Sequence, residues 1–425
     1  MKGMSKAERQ EKIRYYLKLV HLAQFQDSYI HQLSGGMDLS VIGIIGIILL
    51  IGIVKKNGIM HEPSTLDAQE WKLIIAGEVE KPYSLTLAEL AKLEARTVVN
   101  TLECAGNGRS LQNPKVAGVQ WGKGAVGTAR FSGPQLKTIL EKAAMKSTAR
   151  HVMFRGLDEV PGKVPPFIRS IPIEKAIDVD TLIATKMNGA PLTKHHGFPA
   201  RALVPGWIGA ASCKWITEIK LLDKPFEGNF MSPGYRLPNQ PMKPGDTVKP
   251  EDTHSVTALD VKSVIATPAN DAILKSKSVT VTGAAWAGEA EISKVEISTD
   301  AGVTWQPATL GTDRAKYAWR IWSYRWKLSK PGAYTILSRA TDTKGRTQPS
   351  SAVWNPSGYL YDAYDEVNIH ERMARDGQGY CWAEFSARNL DLFQWKGGLL
   401  DRLYNKQTLD SPVARSVFVL PDRGL

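Results

Sequence analysis

From about Val256 onward the chain alternates. The stretches SVTVTGAAW, KVEISTDAGVTW, YAWRIWSYRWKL and YTILSRATDTKGR set apolar against polar residues with a period of two, and turn signals such as Asp300-Ala301-Gly302 and Lys344-Gly345 separate them. A period of two sends successive side chains to opposite faces of a strand, so each stretch has one face to bury and one to leave in water. Many such strands at short spacing meet both demands by stacking two sheets, which is the pattern of a β-sandwich.

Residues 66–250 have a different texture. WKLIIAGEV, FPARALVPGW and KWITEIKLLD read as strands. SLTLAELAKL reads as a short helix capped by Ser84, and GPQLKTILEKAAM as another helix. This is an α+β pattern without the strand–helix regularity of a doubly wound sheet. Pro-rich LPNQPMKPGDTVKPED, Leu237 to Asp252, reads as the linker to the sandwich. Residues 371–425 follow neither pattern; they carry aromatics and one helical-looking piece, and form an extension of unknown role.

The N-terminal part adds two elements. Residues 5–33 place Ile13, Leu17, Val20 and Phe25 at helical spacing, predicting an amphipathic arm over 1–37 that Gly35-Gly36 ends. Leu39 to Val54 carries no charge and is followed by Lys55-Lys56. It falls slightly short of the ~20 residues a spanning helix needs, and snorkelling lysines extend it. The expectation is a transmembrane helix over 38–56; a buried core helix is the alternative. A cleaved leader fits less well, because the apolar run starts late and no A-x-A-like site follows. Lys55 and Lys56 place the following domain on the cytoplasmic face, whereas counting Lys2, Lys6, Arg9, Lys12, Arg14 and Lys18 reverses that orientation.

The chain has 3 cysteines, Cys104, Cys213 and Cys381, none in a C-x-x-C pair. A zinc ribbon, a thioredoxin-type site and an attached c-type haem therefore lack their signature. The spacing argues against a disulfide scaffold and leaves room for one long-range bridge. The net charge of +12 suits an anionic substrate, lipid or acidic partner. No zinc-finger spacing, RNP motif or long basic block supports nucleic acid.

Two clusters carry chemistry. TLECAGNGRS sets Cys104, a nucleophile or a soft metal ligand as thiolate, before a run of small residues. Gly106 and Gly108 permit close approach by something bulky. Arg109 brings a planar cationic fork suited to an oxyanion. KHHGFPARALVPGWIGAASCKW sets His195, His196, Arg201 and Lys214 among Gly and Pro, a cradle for a phosphate-bearing ligand. Asp158 in FRGLDEVPG can accept hydrogen bonds from a heterocycle's N–H groups. A buried structural cysteine and solvated loop charges are the plain alternatives.

These motifs, with VQWGKGAVGTARFSG, HVMFRGLD, SIPIEKA, MNGAPLTKHHGFPARALVPGWIGAASCKW, STDAGVTW and YAWRIW in that order, resemble the sulfite oxidase family over roughly Leu66 to His370. The resemblance implies a molybdenum–molybdopterin domain over 57–250, an immunoglobulin-like domain over 251–370, and often a homodimer. It makes Cys104 the molybdenum ligand. It places His61, Asp158, His196, Arg201, Ser212 and Lys214 on pterin or phosphate, and leaves Cys213 to packing. Arg109, Trp121 and Arg320 match positions lining an anion pocket, while Phe167 falls where many members carry a tyrosine. The family's F-x-R-x-H segment reads KKNGIMHEPSTLD, in which His61 matches the histidine and nothing matches the arginine.

The implied function is oxidation of a small oxyanion, sulfite first, with Arg109 and Arg320 holding the anion and electrons passing to a separate cytochrome or membrane complex. This chain would carry no haem. Family precedent places such an enzyme in the periplasm. Nitrate or S-oxide reduction at the same site is an alternative, and a non-catalytic subunit of a membrane complex is another.

Overall fold

The computed structural model describes residues 62–159, 164–274, 278–328 and 332–371, together with three strands at Cys381–Ala383, Phe393–Lys396 and Leu399–Asp401. The expected arm over 1–37, the span over 38–56 and His61 lie outside the described residues. Among the described residues no helix is long and apolar enough to cross a membrane.

The first domain holds two main sheets. Five strands run in the order Tyr83–Thr86, Lys72–Gly77, Ile216–Leu222, His151–Gly156, Ile168–Pro172, with one parallel pair, Lys72–Gly77 beside Ile216–Leu222. The second sheet pairs the long strands Ala95–Glu103 and Val126–Pro134 antiparallel and in register from Ala95↔Pro134 to Glu103↔Val126. The helix Leu136–Lys142 turns Leu136, Ile139 and Leu140 into the core, each fully buried. That i, i+3, i+4 stripe contributes about 1.5–3 kcal/mol per side chain before conformational costs.

The helix Leu87–Lys92 starts two residues later than its expected Ser84 cap. Thr86 accepts from the Glu89 backbone N–H, and the Glu89 carboxylate accepts from the Thr86 N–H. This reciprocal box needs Ser/Thr followed three residues on by Glu or Gln. Thr86 has Glu89 there, whereas Ser84 has Leu87, so Ser84 stays in the preceding strand.

The second domain is the expected sandwich. One sheet runs Lys262–Thr267, Ser278–Trp286, Arg320–Lys327, Thr309–Leu310; the other runs Ala272–Leu274, Asp365–Glu371, Gly332–Asp342, Ile292–Ser298, Gln306–Pro307. Val281, Trp322, Val295 and Ile336 fill the space between them. The linker is closed at its base, where Arg236–Pro238 pairs with Thr253–Ser255. Beyond Glu371 the described residues form a three-stranded antiparallel sheet, and the rest of 371–425, with its helical-looking piece, lies outside the described residues.

The two domains share an apolar seam. Ala105, Ile208 and Ala210 of the first pack with Val256, Leu259 and Trp286 of the second. Ala105 of the seam lies two residues beyond the strand Ala95–Glu103, whose end delivers Cys104.

Candidate active site

Cys104 is the first residue beyond that strand, and the turn after it is heavily fixed. The Asn107 N–H donates to Cys104 O at 2.9 Å, and the Arg109 N–H donates to Gly106 O at 3.0 Å. Asn107 Nδ2 donates to Glu103 Oε1 and its Oδ1 accepts from the Ala125 N–H, both at 2.9 Å. Glu103 is fully buried and takes Lys262 Nζ at 2.7 Å and Trp286 Nε1 at 2.8 Å, both from the second domain. A buried carboxylate this well paired holds the strand end rigidly.

The space left by the two glycines goes to the chain itself, contrary to the expectation of a bulky visitor. A Cβ at Gly106 would lie 2.7 Å from Arg109 Nη2. Gly108, at φ 86°, would meet Tyr361 Cβ at 2.9 Å. Gly108 therefore does not tolerate a side chain, and one at Gly106 would have to displace the Arg109 guanidinium.

Cys104 is free and half-buried, and it opens into a cleft. His195, His196, Arg201, Ser212 and Lys214 form one wall. His196 is held by Thr193 Oγ1 at 2.6 Å from its Nδ1, and its buried Nε2 has no partner. Burial, then the nearby Arg201, Lys214 and His195, push its pKa down to about 3, so the imidazole is neutral. Arg201 donates to His196 O at 3.2 Å and Ser212 O at 2.9 Å, while its buried Nε is unpaired. The Ser212 hydroxyl accepts from the Val204 N–H at 3.0 Å, leaving its own proton to donate. Lys214 Nζ lies 3.9 Å above the Trp215 ring centroid and donates to His195 O at 3.1 Å. Glu62, next to His61, places a carboxylate oxygen 2.6 Å from His195 Nδ1.

Asp158 faces this wall. Burial raises its pKa to about 6, partly offset by Lys214. Among the described residues no group of three or more His, Cys, Asp or Glu is placed to hold a metal ion. The donor set fits an anionic group on the His196–Lys214 side, a heterocycle at Asp158 and a soft metal at Cys104. The orphaned His196 Nε2 and Arg201 Nε are what such a ligand would satisfy. Cys213 also lines the cleft, buried, with its Sγ donating to Ala210 O at 3.8 Å.

The anion-pocket expectations fare differently. Phe167 lines the cleft, its ring 4.8 Å from that of Phe230. Arg109, Trp121 and Arg320 are not among the lining residues. Arg109 is turned away by two carbonyls, donating to Ser357 O at 2.9 Å and Val119 O at 3.0 Å. Trp121 sits half-buried on the loop 111–122, where its carbonyl accepts from the Ser110 N–H at 3.0 Å. Arg320 Nη2 donates to Gly311 O at 2.7 Å inside the sandwich.

The structure brings Tyr235 to the cleft instead. Its ring stacks on Tyr359 with centroids 5.6 Å apart and planes 2° apart. Burial, with Cys104 next in weight, pushes its phenol pKa well above the usual range, so it stays protonated. Tyr235 adopts φ 56°, uncommon for a bulky residue, in a turn after Pro233-Gly234. Arg169 packs beneath it. That SPGY turn was the only sequence signal, and it marks a turn rather than a site.

Comparison with known proteins agrees with this geometry. A family model described as an oxidoreductase molybdopterin binding domain matches residues 60–230, and one described as a Mo-co oxidoreductase dimerisation domain matches residues 253–372. The chain is 33% identical over 342 residues to the mitochondrial sulfite oxidase of Mus musculus, covering 76% of this chain and 62% of that protein. It is 33% identical over 334 residues to an NADH nitrate reductase of Volvox carteri, covering 72% of this chain and 38% of that protein. It therefore spans less than two thirds of either relative. Among solved structures, the fold is similar to the sulfane dehydrogenase SoxCD from Paracoccus pantotrophus, with a TM-score of 0.61 and 23% identity over 80% of this chain and 79% of that one.

Proposed function

The chain belongs to the sulfite oxidase family of molybdopterin-dependent oxidoreductases, and from that premise we propose that it oxidises sulfite to sulfate in the Cys104 cleft. One observation carries the reading. A free thiol and a set of unpaired buried donors, His196 Nε2 and Arg201 Nε, border the same cleft.

Cys104 Sγ would hold molybdenum. Arg201, Ser212, Lys214 and His196 would hold the phosphate, and Asp158 the pterin's N–H groups, with His61 expected to assist. When bound, the cofactor supplies two-electron redox chemistry and the transferred oxygen. The net change takes sulfite and water to sulfate, two protons and two electrons.

The chain's own groups position the anion. The Tyr235 hydroxyl makes no hydrogen bond among the described residues, and its protonated phenol can donate to a substrate oxygen. Phe167 keeps that side of the cleft apolar and excludes water. Arg109 acts one layer back, its Cζ 5.3 Å from the Tyr359 ring centroid. Trp121 and Arg320 are left without direct contact in this scheme.

Electrons leave singly to a separate acceptor, a cytochrome or membrane complex. The second domain would serve a homodimer, and residues 38–56 would tether the enzyme at the membrane. Deleting residues 1–56 should then release the protein from membranes with its molybdenum intact. The similarity to a nitrate reductase favours a second reading, reduction of nitrate or an S-oxide at the same cleft. The loss-of-function reading is weakened by the free thiol and the donor wall, which a merely structural subunit has no need to keep.

The test measures molybdenum and phosphorus in wild type and Cys104→Ser, then sulfite-dependent ferricyanide reduction. About one of each element per wild-type chain, and sulfite turnover lost in Cys104→Ser, is the expected result. A fully loaded wild type that reduces nitrate and ignores sulfite would reverse the direction, and wild type that binds neither element would end the enzyme reading.

A further inference from the structure

Arg169 is a buried arginine with no acidic partner among the described residues. It projects from the strand Ile168–Pro172, and 2% of it is exposed. Its Nη1 donates to the Phe230 carbonyl, and its buried Nε has no partner. The groups felt by its charge are Cys213, Tyr235 and Tyr359. Its Cζ lies 5.0 Å from the centroid of the Tyr235 ring. Tyr359 covers the Tyr235 ring as a parallel stack, and Arg109 covers Tyr359. Two tyrosines are thus held in series with two guanidinium groups, and Tyr235 borders the cleft beside Cys104.

Burying a guanidinium without a counter-charge is costly, and the cost is recovered when an anion binds nearby. Stacking on an aromatic face suits the planar cation and holds it where it lies. The acids bordering the cleft are engaged elsewhere: Glu103 pairs with Lys262, and Lys214 acts on Asp158. Among the described residues no carboxylate balances Arg169, and a bound anion would do so.

We infer that Arg169 is a specificity-determining residue for the anion bound beside Cys104, its charge acting from behind the Tyr235 ring to favour a dianionic oxyanion over a monoanionic one. The inference rests on the oxyanion chemistry proposed for the same cleft. Coulomb energy is linear in ligand charge, and a buried charge is little screened by salt. Removing the guanidinium therefore weakens a dianion by the square of the factor by which it weakens a monoanion. Loss of packing or of shape weakens the two alike.

The experiment is calorimetric titration of the molybdenum-loaded holoenzyme with sulfate and with nitrate, for wild type, Arg169→Met, Arg169→Gln and Arg169→Lys. Wild type should bind sulfate about tenfold or more tightly than nitrate. With nitrate weakened about fivefold in the neutral variants, sulfate should weaken about 25-fold. Arg169→Lys should keep both affinities within about threefold, because it keeps the charge. Equal factors for the two anions, or a lysine variant that behaves as methionine, would overturn the inference. A folded Arg169→Met that has lost molybdenum would also overturn it, by assigning the charge to the cofactor. Should the neutral variants not fold, equal wild-type affinities for sulfate and nitrate would still refute it. Calorimetry needs no turnover, so a wild type that binds sulfate and does not oxidise sulfite counts against the reaction and leaves Arg169 standing.

Discussion

Replacing Lys262 with methionine tests how the sandwich supports the Cys104 turn. The Lys262 side chain is 5% exposed and its Nζ lies 2.7 Å from Glu103 Oε1, on a carboxylate that is 0% exposed. Removing one member of a buried pair costs about 3–5 kcal/mol, because the remaining charge is left uncompensated. Two other donors stay on Glu103, Asn107 Nδ2 at 2.9 Å and Trp286 Nε1 at 2.8 Å. Bonds to a charged acceptor keep part of the stabilisation, which places the loss near the lower end, about 3 kcal/mol. The assay is the urea midpoint followed by tryptophan fluorescence, to which Trp286 in the seam contributes as one of 12 tryptophans. Glu103→Gln combined with Lys262→Met removes both charges and should recover more than half of the loss. A single variant within about 1 kcal/mol of wild type, or a double variant no better than the single, would show that the pair is not what holds the seam.

Three further predictions concern pH and local structure. Burial, with Asp260 next in weight, raises the Asp362 pKa to about 6 from 3.8; the folded state therefore holds a proton the unfolded chain has lost, and stability falls as pH rises from 3.8 through 6. Asp362→Asn should add about 2 kcal/mol at pH 8, after allowing for screening, and nothing at pH 3.5, read as paired urea midpoints. His196 has the opposite sign: with its pKa depressed to about 3, the cofactor-free protein loses stability as pH falls below 6.5, by about 2 kcal/mol near pH 5, and His196→Gln should flatten that slope in a melting series. Thr86→Ala removes the cap of the helix Leu87–Lys92 and should cost about 1 kcal/mol, whereas Ser84→Ala, outside the box, should change the melting curve little.

Much of the fold was written in periodicity. The helix Leu136–Lys142 and the strands Lys72–Gly77, Ser278–Trp286 and Arg320–Lys327 fall inside stretches whose patterns announce them. The donor wall was legible too, because His195, His196, Arg201, Ser212 and Lys214 lie close in sequence and fold back on one another. The anion side was not. Arg169, Tyr235, Tyr359 and Arg109 come from four separate segments, and nothing local marks any of them as a partner of the others. Arg109 follows Cys104 by five residues, yet proximity does not set direction: its guanidinium follows the carbonyls of Val119 and Ser357. The Ser84 cap failed for a related reason, since a cap is chosen by the residue three positions ahead.

The sandwich is part of the active site's frame rather than an appended module. Glu103, the residue before Cys104, is held by Lys262 and Trp286; Ala105, the residue after it, accepts the Leu360 N–H at 2.8 Å. Thr101, three positions earlier, donates its N–H to Tyr317 O at 2.8 Å and accepts the Trp319 N–H on its hydroxyl at 2.9 Å. Five points from the second domain thus bracket the thiol on both sides along the chain. Residues held this way lose little further freedom when a metal and an anion bind, so the ordering cost falls on folding rather than on binding. Separating the domains would leave Glu103 buried without its lysine or open it to water, and either change moves the backbone that carries Cys104. The molybdopterin-binding domain expressed alone should therefore lose affinity for the cofactor even though the residues of the donor wall all lie within it.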